Sequence, residues 1–180
     1  FGWFAIPDQF AIEKLDALEV GRQPRRPLFV FFPTISTHFP FSPTPPYQPD
    51  WPRLLTDDPY EDSAVTDAYS VQPDWLNFGP GYIDALTYAY ASIGGYLRLR
   101  PDRDFVMILI GDHQPAAAVS GEGAPWTVPV HVIASRRPLL DRLAAHGFRP
   151  GLSPVRPAIG PMHNLTPMLL DAFGNYEPAE

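Results

Sequence analysis

Apolar and polar residues follow one another along the chain in patterns that predict both helices and strands. Helical spacing of apolar side chains predicts helices over residues 7–19, 81–98, 138–146 and 165–173. Short, continuous apolar runs predict strands over residues 28–32, 105–110 and 127–134. Runs this short are typical of strands buried on both faces at the centre of a parallel sheet. Because the predicted strands alternate with helices, the pattern indicates the α/β class.

The segment from about residue 40 to 80 interrupts this pattern, because prolines recur along it. Proline lacks a backbone N–H and has a fixed φ, which excludes a central strand or a long helix here. The segment also contains aromatic residues such as Trp51, Tyr60 and Trp75, whereas disordered segments contain few of them. We therefore expect a long, ordered loop that lies over the functional site.

The apolar run 105–110 ends at Gly111, which is followed by Asp112 and His113. In α/β sheets, ligands bind beyond the carboxyl ends of the strands. Gly111 permits the backbone to turn, so that both side chains can converge on one point. A carboxylate oxygen and an imidazole nitrogen suit Zn²⁺, Mn²⁺ or a similar cation. Taken alone, the dipeptide is better explained by an Asp112 that caps a turn and an incidental His113.

Composition narrows the class of protein. With 180 residues, 45% of them hydrophobic, the chain is long enough for one domain with a real core. Its net charge of −7 argues against a nucleic-acid partner. No apolar run approaches the roughly 20 residues of a membrane helix, so we expect this chain itself to be soluble. It starts at Phe1 without a Met or a basic leader, which suggests a piece of a longer protein.

Four motifs occur in a fixed order along the chain. They are His38-Phe39-Pro40-Phe41, Gly111-Asp112-His113-Gln114-Pro115, Val128-Pro129-Val130 and the segment LTPMLLDAFG at 165–174. In order and spacing they resemble the sulfatase-like branch of the alkaline phosphatase superfamily, above all its lipoteichoic acid synthases and phosphoglycerol or phosphoethanolamine transferases. The resemblance covers residues 1–180 but only the C-terminal part of the family's single catalytic domain. It implies a three-layer sandwich in which helices flank a mainly parallel central sheet.

The same resemblance implies the chemistry of the site. Asp112 and His113 would be two ligands of one divalent metal ion, which could be Mn, Zn or Mg. His38 would contact the phosphate or sulfate group and offer an N–H to its developing charge. The hydroxyl nucleophile and a further acidic ligand would come from the N-terminal half of the domain, before Phe1, so no catalytic residue is assigned within this chain. Two-metal members carry Asp-x-x-x-His in the long helix, whereas Asp84 here is followed by Tyr88, which indicates a one-metal site.

The function implied is that of a metal-dependent hydrolase or transferase acting on phosphate or sulfate esters. The substrate would be a small molecule, a lipid headgroup or an envelope glycan, and the other partner is the missing N-terminal half of the same domain. The chain would be an extracytoplasmic part, periplasmic or at the cell surface, of a membrane protein, and would be inactive alone. Two alternatives stay open. One is a truncated or degenerate non-catalytic domain with a structural or anion-binding role. The other is an independent anion-binding domain that uses His38 without a metal.

The remaining histidines are predicted to be structural. His131 alternates within a predicted strand and His163 precedes a helix. His146 ends a short helix, where a cation interacts favourably with the helix dipole.

Overall fold

The computed structural model describes residues 6–24, 26–154 and 156–174. Its helices are Asp8–Leu15 (α1), Asp62–Ser70 (α2), Gly79–Leu99 (α3), Ala117–Ser120 (α4), Arg137–Leu143 (α5) and Leu165–Gly174 (α6). Its strands are Val106–Ile110 (β1) and Val130–Ala134 (β2). A π-helical turn, Asp16–Val20, continues α1, and short 3₁₀ turns lie at Trp51–Leu55, Ala144–His146 and Met162–Asn164. The combination of helices and strands agrees with the predicted class. In the part of the chain that is described, no helix is both long and apolar enough to cross a membrane.

These residues fall into two compact units. The first includes the chain up to Pro101 together with Pro115–Glu122, and the second includes Asp102–Gln114 and the chain from Gly123 onwards.

The core of the first unit is built by α1, the 3₁₀ turn Trp51–Leu55 and α3. Its buried cluster consists of Ile12, Trp51, Leu54 and Tyr60. Three of these four side chains come from the proline-rich segment, so the aromatic residues of that segment help to form the core. Within the segment, α2 lies between Pro59 and Pro73, where the chain contains no proline to interrupt a helix.

The second unit contains the β1–β2 pair, which is antiparallel with Ile108 opposite Val132. The mainly parallel sheet that was predicted is therefore not seen among the described residues. An apolar run indicates that a strand is buried, but it does not specify the direction of its neighbour. Burial of β1 on both faces was also wrong, because Val106, Ile108 and Ile110 are exposed along one face.

The predicted central strand at residues 28–32 is wrong for the described structure. These residues have no regular secondary structure, and Phe29 and Phe31 are 90% and 85% exposed. A strand exists only if another backbone pairs with its N–H and C=O groups, and none of the described residues does so here. Apolar content alone therefore overpredicted regular structure.

Helices α5 and α6 pack against each other in the second unit. Leu139, Leu143 and Ala172 are buried there. Nε2 of His146 lies 2.9 Å from Oδ2 of Asp171 in α6, so His146 links the end of the α5 segment to α6. The sequence predicted a structural role for His146 from its place at the end of a helix, but it did not predict this contact with α6.

Candidate functional site

Gly111 lies directly after β1 and is in close contact with the chain entering β2. Its N–H donates to the carbonyl oxygen of Pro129 at 3.1 Å. A Cβ at this position would lie 3.2 Å from both Val128 Cβ and Pro129 Cδ. A glycine is therefore suited here by the closeness of the neighbouring chain, and it brings Asp112 and His113 to the end of the strand pair.

Asp112 and His113 are close together and open to solvent. Their side chains are 88% and 67% exposed, and Oδ2 of Asp112 lies 3.4 Å from Nε2 of His113. The other carboxylate oxygen, Oδ1, accepts the His113 backbone N–H at 2.9 Å. Asp112 thus stabilises the local turn through one oxygen, as the simpler explanation of the dipeptide expected, while its second oxygen lies beside the imidazole.

A backbone contact indicates which ring nitrogen of neutral His113 carries the hydrogen. Nδ1 of His113 lies 2.7 Å from the carbonyl oxygen of Gln114. Since a carbonyl oxygen only accepts hydrogen bonds, Nδ1 carries the hydrogen and the neutral ring has its lone pair on Nε2. A backbone carbonyl on one imidazole nitrogen is the usual way in which proteins orient the other nitrogen toward a metal.

The distance between Asp112 Oδ2 and His113 Nε2 is compatible with two ligands of one cation as well as with an ion pair. An N–H···O bond usually spans about 2.7–3.2 Å, which is shorter than the 3.4 Å observed. Two atoms that bind the same tetrahedral Zn²⁺ at about 2.1 Å are separated by about 3.4 Å. The His146–Asp171 pair, at 2.9 Å, has the length of an ordinary hydrogen bond instead.

A groove of about 450 Å³ has Asp112 in its wall. It lies within the second unit, and its other walls include Trp126, Arg149, Met162 and Met168. The side chain of Gln114 donates to the carbonyl oxygen of Thr127 and so holds this edge of the groove against the strand end. The groove combines apolar walls with two residues of opposite charge, Asp112 and Arg149, a combination that suits a ligand with a charged and an apolar part.

His38 belongs to the first unit and lies in a tight turn. Its N–H donates to the Ile35 carbonyl at 3.0 Å, and its own carbonyl accepts the Phe41 N–H at 3.0 Å. Nδ1 of the ring lies 2.8 Å from the Phe39 carbonyl oxygen. By the same argument as for His113, the neutral ring carries its hydrogen on Nδ1, so Nε2 can donate to an anion only when the imidazole is protonated.

Further ligands do not accompany the Asp112–His113 pair in the described part of the chain, which contains no group of three or more His, Cys, Asp or Glu side chains that could hold a metal ion. Tyr88, at the position of a second-metal histidine in the resemblance, is buried, and its hydroxyl accepts the Gln9 N–H at 3.2 Å. Burial raises the pKa of Tyr88, with a smaller contribution from Tyr60. The hydroxyl therefore stays protonated and serves as a hydrogen-bonding group of the core.

Asp8 and Gln9 were missed by sequence reasoning. Both are buried at the start of α1, and both bond to the segment that contains His38. The only local signal was the Pro7-Asp8 pair, which predicts a helix start and says nothing about distant partners.

No family model, curated protein or solved structure matches this chain. The resemblance drawn from the four motifs therefore stays a prediction, and the geometry at Asp112 and His113 carries the functional argument.

Proposed function

We propose that this chain is the C-terminal part of the catalytic domain of a metal-dependent hydrolase or transferase that acts on phosphate or sulfate esters. The proposal includes the fold of the sulfatase-like branch, a three-layer sandwich whose mainly parallel sheet would need strands from outside the described residues, since β1 and β2 pair antiparallel. The observation that carries it is the separation of 3.4 Å between Asp112 Oδ2 and His113 Nε2. Because Nδ1 of His113 donates to the Gln114 carbonyl, the lone pair of the neutral ring is on Nε2.

The donor set fits a divalent cation. Asp112 supplies a carboxylate oxygen and His113 a neutral imidazole nitrogen, which are ligands of Zn²⁺ and Mn²⁺ and, through the carboxylate, of Mg²⁺. When bound, such a cation provides a Lewis acid for an ester oxygen. The backbone carbonyl of Gln114 orients the His113 ring. The side chain of Gln114 donates to the Thr127 carbonyl at the edge of the groove.

The other parts of the proposed reaction are divided between this chain and residues outside it. The groove beside Asp112 would hold the alcohol part of the ester, with Arg149 available to pair with its charge. His38 belongs to the other unit, and its proposed contact with a phosphate or sulfate oxygen rests on the resemblance alone. A hydroxyl nucleophile and a third ligand, an acid, would come from outside these residues, and lipid headgroups or envelope glycans in an extracytoplasmic setting are the proposed substrates.

The metal site is tested by calorimetric titration of the chain with Zn²⁺ and with Mn²⁺. We expect weak binding of one ion per chain, because two protein ligands leave most coordination positions to water. Asp112→Ala should weaken it at least about tenfold. Asp171→Ala is a matched control, because it removes the carboxylate of the other Asp–His pair in the same unit, and it should leave the titration unchanged.

Two results would count against the proposal. If wild-type chain binds neither ion, Asp112 and His113 are not a metal half-site, and the non-catalytic alternative becomes the better explanation. If Asp171→Ala weakens binding as much as Asp112→Ala, the ion binds any exposed Asp–His pair, and the geometry at Asp112 has no special meaning.

A further inference from the structure

The carboxylate of Asp8 is almost completely buried, with 3% of the residue exposed. Its Oδ2 accepts the backbone N–H of Ser36 at 2.8 Å, and its Oδ1 accepts that of Ile35 at 3.0 Å. Hydrogen bonds to an ionised carboxylate are stronger than those between neutral groups. Ile35 also provides the carbonyl that accepts the His38 N–H, so Asp8 holds the first residue of the turn in which His38 lies.

Gln9 anchors the far end of the same segment. Its side chain donates to the Gln48 carbonyl at 2.7 Å and accepts the Gln48 N–H at 2.9 Å. Its own N–H donates to the Tyr88 hydroxyl at 3.2 Å, which ties the start of α1 to α3. Two consecutive buried residues therefore bond to both ends of the segment Ile35–Gln48.

The segment between these anchors needs outside support. It has no regular secondary structure, and its prolines cannot donate backbone hydrogen bonds. Phe41, buried and three residues after His38, has a φ of 71°. A bulky side chain in this left-handed region costs energy and persists only where surrounding contacts enforce it. The Phe41 ring contacts Tyr82 at 5.2 Å between centroids.

We infer that Asp8 and Gln9 are positioning residues, which hold the segment Ile35–Gln48 so that His38 is presented in one orientation for an anion. The inference rests on the proposed phosphate or sulfate contact of His38 and adds the groups that make the contact possible. Asp8 holds the start of the segment by accepting hydrogen bonds from two backbone N–H groups. Gln9 holds its end through two hydrogen bonds between its side-chain amide and the backbone of Gln48. Neither touches the anion itself.

The test compares Asp8→Asn with Asp16→Asn by following the His38 ring signals in ¹H–¹⁵N spectra during titration with inorganic phosphate. Both substitutions keep the side-chain shape. Asp16 is as buried as Asp8 and follows α1 directly, but its carboxylate accepts hydrogen bonds from Tyr96 of α3 and from Arg100, the residue after α3. We expect wild type and Asp16→Asn to show the same His38 response, and Asp8→Asn to bind phosphate about tenfold more weakly. Circular dichroism should show equal helix content in all three proteins.

A second measurement does not depend on any variant folding. In the wild-type chain, the amides of Ile35 and Ser36 should exchange with solvent about 100-fold more slowly than unstructured amides, because Asp8 accepts both. If Asp8→Asn does not fold, this measurement decides. Protected amides support the inference, and freely exchanging amides overturn it.

The remaining outcomes separate the inference from the function on which it rests. Unchanged phosphate affinity in Asp8→Asn would overturn the positioning role, as would an equal loss in Asp16→Asn, which would indicate a general effect of buried charge. If the His38 signals of wild type do not respond to phosphate, the proposed anion contact is wrong. The positioning of His38 would then still be supported if the Ile35 and Ser36 amides exchange slowly and the His38 signals shift in Asp8→Asn. Fast exchange of these amides would overturn the positioning role as well.

Discussion

Gly94 and Gly95 are neighbours in α3, but their surroundings differ. A Cβ on Gly95 would lie 2.9 Å from Cζ2 of Trp51 and in collision with the Tyr47 hydroxyl. A Cβ on Gly94 would meet only the guanidinium nitrogens of Arg98, the nearer at 3.4 Å. Gly95 is thus the residue that lets α3 approach the 3₁₀ turn Trp51–Leu55 closely, and Gly94 has no such role.

We therefore predict opposite effects of alanine at the two positions. Gly95→Ala should lower the free energy of unfolding by about 1–3 kcal/mol, because the extra methyl overpacks the contact with Trp51. Gly94→Ala should raise it by up to about 1 kcal/mol, because alanine favours the helix. Denaturant unfolding of both variants measures the difference. Stabilisation by both substitutions would mean that helix propensity outweighs packing, and the close approach at Gly95 would then be unimportant.

At the scale of single residues, the sequence predicted contacts between residues that are adjacent in the chain. Asp112 and His113 are adjacent, so a strand end was enough to predict that they converge. The tautomer of His113 depends on the carbonyl of the next residue, and it could not be predicted because it requires the backbone geometry. Asp8 bonds to residues near Ile35, far along the chain, and no local pattern predicts a long-range polar contact.

At the scale of elements, apolar runs predicted which residues form β1 and β2 but not how the strands pair. In the described structure β1 has one neighbour, β2, and its other edge has no partner among these residues. Its apolar side chains Val106, Ile108 and Ile110 are exposed along one face of the strand. Helix predictions succeeded more often, because a helix satisfies its own backbone hydrogen bonds and a strand does not. The run at residues 28–32 illustrates the difference.

An open edge with an exposed apolar face favours association between chains. We predict that the chain self-associates as its concentration rises and that Ile108→Lys suppresses this, with a change in stability within about 0.5 kcal/mol. Leu109→Lys, on the less exposed face, should destabilise the chain by about 1–3 kcal/mol. Sedimentation velocity and thermal unfolding distinguish the two effects. A wild-type chain that stays monomeric at all concentrations would contradict the prediction.

At the scale of the whole molecule, acidic groups outnumber basic ones, with 20 Asp and Glu against 13 Lys and Arg. Most acids can remain in water, but Glu13 in α1 is only 8% exposed, and its Oε2 has no hydrogen-bond partner. Burial raises the pKa of Glu13, and the neighbouring Asp16 raises it further, while Arg100 lowers it. The folded state therefore holds the Glu13 proton more tightly than the unfolded chain does.

The consequence is that the contribution of Glu13 to stability falls as pH rises. Below the ordinary pKa of 4.5, Glu13 is protonated in both states and its burial costs little. As pH rises through the higher pKa of the folded state, the charge must be buried and stability is lost. Glu13→Gln removes that charge, so we expect it to raise the free energy of unfolding at pH 7 by roughly 1 kcal/mol and to have almost no effect near pH 4.

Glu19→Gln provides the matched control, because Glu19 is exposed in the π-helical turn that follows α1. Glu19→Gln changes the net charge of the molecule by the same amount as Glu13→Gln, but it removes no buried charge. Urea unfolding of wild type and both variants at pH 4 and pH 7 separates the two effects. If Glu19→Gln stabilises the chain at pH 7 as much as Glu13→Gln, relief of the overall negative charge is the cause. If the gain in Glu13→Gln is the same at both pH values, the carboxyl does not titrate differently in the folded state, and its burial carries no pH-dependent cost.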